Sequence, residues 1–71
     1  MQVSKIYIDS GDYTITCEIG EKQGITKESG TLKSIDIMVD ANNRDIAILE
    51  YDNGIKGQIN LYNTTEWYYK P

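Results

Sequence analysis

In the stretch Asp45-Ile46-Ala47-Ile48-Leu49-Glu50-Tyr51-Asp52-Asn53-Gly54-Ile55-Lys56-Gly57-Gln58-Ile59, two apolar runs flank an Asn-Gly pair. The runs are short and β-branched, and the second alternates, which is the habit of strands and not of helices. Asn-Gly tolerates the positive φ angles that a primed two-residue turn imposes, so the stretch reads as an antiparallel hairpin turning at Asn53-Gly54. Its first arm is apolar on both faces, with Ile46 and Ile48 on one and Ala47, Leu49 and Tyr51 on the other. Such a strand is covered on both sides and belongs in the centre of a sheet. The second arm, continued to Tyr62, turns Ile59 and Leu61 inward and Gln58, Asn60 and Tyr62 outward, with Gly57 marking a bulge.

The same pattern extends in both directions. Residues 31–40 place Ile35, Ile37 and Val39 opposite Ser34, Asp36, Met38 and Asp40, and Asp40-Ala41-Asn42-Asn43-Arg44 turns the chain into the central strand. Residues 3–8 set Ile6 and Ile8 against Lys5 and Tyr7. A turn at Asp9-Ser10-Gly11-Asp12 then leads into residues 13–19, where Tyr13, Ile15, Cys17 and Ile19 face away from Thr14, Thr16 and Glu18. These two runs are predicted to pair as a hairpin. Residues 20–30 hold three glycines and a single apolar side chain, and read as a mobile hairpin loop. Their glycines lack the spacing of a phosphate-binding loop. After Asn63-Thr64-Thr65-Glu66, a short turn, a last strand runs from Trp67 to Lys70. Nineteen Ile, Val and Thr residues support strands throughout.

The prediction is a single all-β domain over residues 1–71, an antiparallel meander of five or six strands curled into a barrel-like sheet. In size it matches SH3-like and OB-like domains, although neither family's sequence signature is present. A chain this short buries only about 60% of its unfolded surface, so dimerisation through free strand edges would add stability.

Seven Lys and Arg stand against eleven Asp and Glu, a net charge of −4 that disfavours duplex nucleic acid. The acidity is concentrated in residues 1–54, with Asp36, Asp40, Asp45 and Asp52 forming a candidate acidic surface, while residues 55–71 are slightly basic. The chain has no His and one Cys, which removes Cys/His zinc sites, internal disulfides and His-based acid–base catalysis. Asp40 and Asn42 resemble the start of a calcium loop, but Arg44 and Asp45 stand where an oxygen ligand and a Gly are needed. Cys17 shares a face with apolar neighbours and is predicted to be buried and inert. A single unpaired Cys, no signal-peptide core and no apolar run long enough for a membrane span point to a cytoplasmic protein. No catalytic residues, metal or cofactor are predicted.

Four of the seven aromatic residues lie between Tyr62 and Tyr69. Tyr and Trp give large, stiff contact surfaces with a polar tip, so Tyr62, Tyr68 and Trp67, with Lys56, Gln58 and Asn60, form the candidate binding surface. Trp67 and Tyr69 share a face and are the more natural core fillers, which leaves Tyr68 outside. These features favour a non-enzymatic module that binds a protein partner. Tiny, acidic, Tyr- and Asn-rich chains resemble in type the inhibitors that bacteriophages and mobile elements direct against host or defence proteins, anti-CRISPR proteins included. The alternatives are a barrel that stacks a nucleotide, sugar or single strand on its C-terminal aromatics, and a structural subunit of a larger assembly.

Overall fold

A computed structural model describes residues 1–22 and 30–71. Most of the expected 20–30 loop lies outside the described residues. The alternating runs form strands β1 (Gln2–Val3), β2 (Lys5–Asp9), β3 (Thr14–Glu18), β4 (Leu32–Val39), β5 (Asp45–Tyr51), β6 (Lys56–Ile59) and β7 (Glu66–Lys70). A 3-10 turn, Leu61–Asn63, precedes β7. Two antiparallel sheets result, ordered β1-β4-β5-β6 and β3-β2-β7. The domain is all-β as expected, but it is not a simple meander and its sheets do not close into a barrel. β1 crosses to β4, and β7 returns to β2.

The reason lies in two breaks of alternation. Val3 and Ile6 are both buried although three positions apart, which no single flat strand allows. The chain leaves one sheet and enters the other at Ser4, where Ser4 N–H donates to the Lys70 carbonyl and the Ser4 carbonyl accepts from Ile19 N–H. The single run expected over residues 3–8 is therefore two strands. In β4 the register shifts between Leu32 and Ser34, and the bulge turns Leu32 inward together with Ile35 and Ile37. Val39, expected inside, is 53% exposed at the strand's end beyond the core. Gly57 forms no bulge, since the β5–β6 register runs unbroken from Ala47–Ile59 to Glu50–Lys56.

β5 is flanked by β4 and β6, the central position its two apolar faces predict. Ala47, Leu49 and Tyr51 enter a core completed by Val3, Ile6, Ile8, Cys17, Leu32, Ile35, Ile37 and Leu61, with Ile15, Ile59 and Trp67 packed against it. Both sheets supply it, and Leu61 closes one end from the 3-10 turn.

The hairpin at Asn53-Gly54 is present, but its turn is not primed. Only Gly54 has positive φ (86°), Gly54 N–H donates to the Tyr51 carbonyl at 3.0 Å, and Tyr51 N–H donates to the Ile55 carbonyl at 2.9 Å. This is a three-residue loop, Asp52 to Gly54, with its left-handed residue last. The β4–β5 turn repeats the same pattern with Asn43 (φ 61°) in the left-handed place, bonded to the Asp40 carbonyl at 3.0 Å. No helix among the described residues is long and apolar enough to cross a membrane.

Candidate protein-binding surfaces

Alternation along β7 separates its aromatics. Trp67 and Tyr69 lie opposite Ile8 and Ile6 on the core side, while Tyr68 lies opposite Tyr7 on the outer face. Trp67 packs on the core, but Tyr69 remains 41% exposed at its rim, 6.5 Å from the Trp67 ring. The Tyr7 and Tyr68 rings stack with centroids 4.7 Å apart and planes 19° from parallel, and Lys5 Nζ lies 4.9 Å from the Tyr7 ring centre. Tyr62 is elsewhere. It projects from the 3-10 turn, and the Arg44 guanidinium lies 4.1 Å from its ring centre. Asp40 holds that guanidinium through bonds of 3.0 Å to Arg44 Nε and Nη2. Tyr62 thus packs against the β4–β5 turn, whereas Tyr68 lies on the outer face of the other sheet.

The polar part of the candidate surface lies on β6. Lys56 Nζ is 3.9 Å from Glu50 Oε2, and Gln58 Nε2 donates to Asn60 Oδ1 at 2.9 Å. Gln58 and Asn60 border a groove of about 460 Å³ that separates β6 from β3 and the β2–β3 turn. Half-buried Ile15 and Ile59 meet there with Ile8, Tyr13 stands at its wall with 60% of its surface exposed, and none of its lining side chains is charged. Among the described residues, β3 and β6 each end their sheet and stand at its edge. The groove is the gap left where the sheets fail to close.

The four acidic residues differ in their local partners. Asp36 Oδ1 accepts from the Met1 amino group at 2.8 Å. Asp40 accepts the backbone N–H groups of Arg44 and Asn42 at 2.9 Å each. The Arg44 amide foremost, with its guanidinium and the Asn42 amide, holds the Asp40 carboxyl below the usual carboxylate range, although desolvation, the second-largest influence, pushes the other way. Asp52 Oδ1 accepts Thr31 N–H at 3.1 Å, clipping the start of β4 to the β5–β6 turn. Asp45 is exposed at the start of β5. Three of the four are therefore engaged in holding turns and strand ends.

Cys17 is 3% exposed, and burial, aided by the charge of Glu21, raises its thiol pKa. A raised pKa keeps the thiol protonated and poorly nucleophilic. The sequence pattern places Tyr7, Tyr13 and Ile15 on strand faces but does not mark them as binding residues. The outward face of Tyr7 was legible from its place between Ile6 and Ile8, but which strand would lie beside it was not. No family model, curated protein or solved structure matches this chain.

Proposed function

We propose that this chain is a non-enzymatic protein-binding module that receives an extended segment of its partner in the groove between β3 and β6. The observation that carries the reading is the placing of the two sheet-end strands, β3 and β6, on either side of a neutral, partly apolar cleft. Strand addition draws affinity from backbone hydrogen bonds and selectivity from pockets for alternate side chains. Ile15 and Ile59 provide the apolar contacts here, and Tyr13, Gln58 and Asn60 the rim. A module of this kind acts as an inhibitor when the segment it covers is one the partner needs, and the phage or anti-defence type of inhibitor falls within this reading. A cytoplasmic setting accompanies it, supported by one buried, unpaired Cys17.

The test is affinity capture from host lysate with wild type, Tyr13→Ala and Tyr62→Ala. Wild type should recover one protein at equal stoichiometry. Tyr13→Ala should weaken capture by about 2 kcal/mol, roughly 30-fold, as expected for an interface Tyr, while Tyr62→Ala leaves it intact. Recovery of nucleic acid or a small ligand, with loss on Tyr68→Ala, would instead favour a stacking site on the outward-facing Tyr7–Tyr68 pair.

A further inference from the structure

The outer face of the β3-β2-β7 sheet is ordered into three cross-strand rows. The β2–β7 register sets Lys5 opposite Lys70, Tyr7 opposite Tyr68 and Asp9 opposite Glu66. All six alternate with the buried Ile6 and Ile8 or with core-side Trp67 and Tyr69, so all six face outward. β3 extends the rows with Glu18, Thr16 and Thr14 in turn. One end of the face therefore holds two cations and one anion, the middle two stacked rings and a Thr, and the far end two anions and no cation. Lys5 has Glu18 at 3.7 Å, whereas Lys70 and Glu66 make no ion pair among the described residues. Like charges placed directly across a strand pair are unfavourable, and this face does so at both ends. Among the described residues, no salt bridge within the chain relieves the Asp9–Glu66 end of that layout.

We propose that this face binds a second copy of the chain, face to face, about a two-fold axis running along the Tyr7–Tyr68 row. Rotation about that axis keeps β2 over β2 and β7 over β7 but reverses their direction. It brings Lys5 over Asp9 of the partner subunit and Lys70 over Glu66 of the partner subunit, with the tyrosine rows meeting between them. An axis along the strands would lay lysine row on lysine row, so the charges select the first arrangement. Sheets that stack face to face lie about 10 Å apart, a gap that two layers of Tyr side chains fill. Three strands of five residues present on the order of 250 Å² of face, well below the roughly 800 Å² per partner of a stable complex. The association is therefore weak, salt-sensitive and confined to high concentration. It uses a different face from the groove, so either proposal can fail without the other.

Sedimentation equilibrium of the full chain, at about 0.01 M and about 1 M salt, tests it. Dimer is expected at low salt and its loss at high salt. Lys70→Glu and Glu66→Lys should each weaken association roughly tenfold, and the double variant should recover to near wild type because the cross-subunit pair is restored with its signs exchanged. Each single reversal replaces a like pair by an opposite pair within the monomer, since Lys70→Glu sets a carboxylate beside Lys5 and Glu66→Lys sets an ammonium beside Asp9. Thermal stability should therefore hold or rise, and unfolding cannot explain lost dimer. A monomer at every concentration, or a double variant no better than the singles, overturns the proposal. So does a dimer indifferent to these changes and broken by Gln58→Pro, which would place the contact on the edge strand β6.

Discussion

Gly30 and Gly54 both adopt positive φ, 66° and 86°, yet replacing them with Ala should have unequal costs. At Gly54 an added Cβ meets nothing within 4 Å, so only the left-handed backbone is penalised, by about 1 to 2 kcal/mol. At Gly30 the same Cβ would overlap Asp52 Oδ1 and press on the Asn53 side chain at 3.3 Å. Asp52 cannot yield freely, because that oxygen accepts Thr31 N–H and the Asp52 N–H donates to the Thr31 carbonyl at 2.9 Å. Displacing the carboxylate loses a hydrogen bond worth about 1 kcal/mol. Adding that loss to the backbone penalty, Gly30→Ala should cost about 2 to 3 kcal/mol. In a domain of this length each kcal/mol moves Tm by about 4–8 °C, a difference readily measured in thermal melts followed by circular dichroism. The decisive comparison is a double-mutant cycle. With Asp52→Ala in place, Gly30→Ala should become no more costly than Gly54→Ala. Equal costs for the two glycines in the wild-type background, or a Gly30→Ala cost unchanged by Asp52→Ala, would refute the reasoning.

Cys17 should react with thiol reagents only after denaturant is added, and rapid labelling of native protein would overturn its assignment to the core. Because its folded pKa is raised, the unfolded chain ionises first; Tyr51, raised mainly by burial, acts in the same direction at its own higher pKa. Stability should therefore fall as pH rises above the ordinary Cys value of about 8.5, less steeply in Cys17→Ala. Asn43 should tolerate Gly without loss of stability, while Asn43→Val should cost more than about 1 kcal/mol in urea unfolding. Equal midpoints for the Gly and Val variants would show that the left-handed position is assigned to the wrong residue.

What could be read from the sequence was local. The two-sided apolar run Ile46 to Tyr51 marked the central strand, and Cys17 among alternating apolar neighbours marked a core position, because a period of two fixes a residue's face. The same period carries no information about partners. Nothing in Lys5 to Asp9 indicates that Glu66 to Lys70 will lie beside it, so the crossing of β1 to β4 and the return of β7 to β2 were beyond reach. Breaks in alternation were legible in principle. The three-residue interval from Val3 to Ile6, and from Leu32 to Ile35, is incompatible with one regular strand, and each marks a corner or a bulge. The aromatic cluster shows the reverse error. Nearness in sequence suggests one surface, but the 3-10 turn between β6 and β7 moves the chain from one sheet to the other and carries Tyr62 away from Tyr68. Asn-Gly gave the hairpin but not its turn, since Asn53 keeps negative φ once Asp52 joins the loop.

The register that joins Lys5 to Lys70 also bears on how the molecule is made. During synthesis β2 and β3 emerge early and can pair at once, whereas the far edge of β2 has no neighbour until Glu66 to Lys70 has left the ribosome. Through that interval Ile6 and Ile8 lack Trp67 and Tyr69 beside them, and an unpaired strand edge is the part of a nascent chain most open to wrong pairing. The hairpins β4–β5 and β5–β6 close over a few residues each and can form as they are made. The slow event is then the arrival of the last strand. A chaperone that holds this chain would find its binding site on β2, and a stop codon placed just before Glu66 would leave that site permanently uncovered.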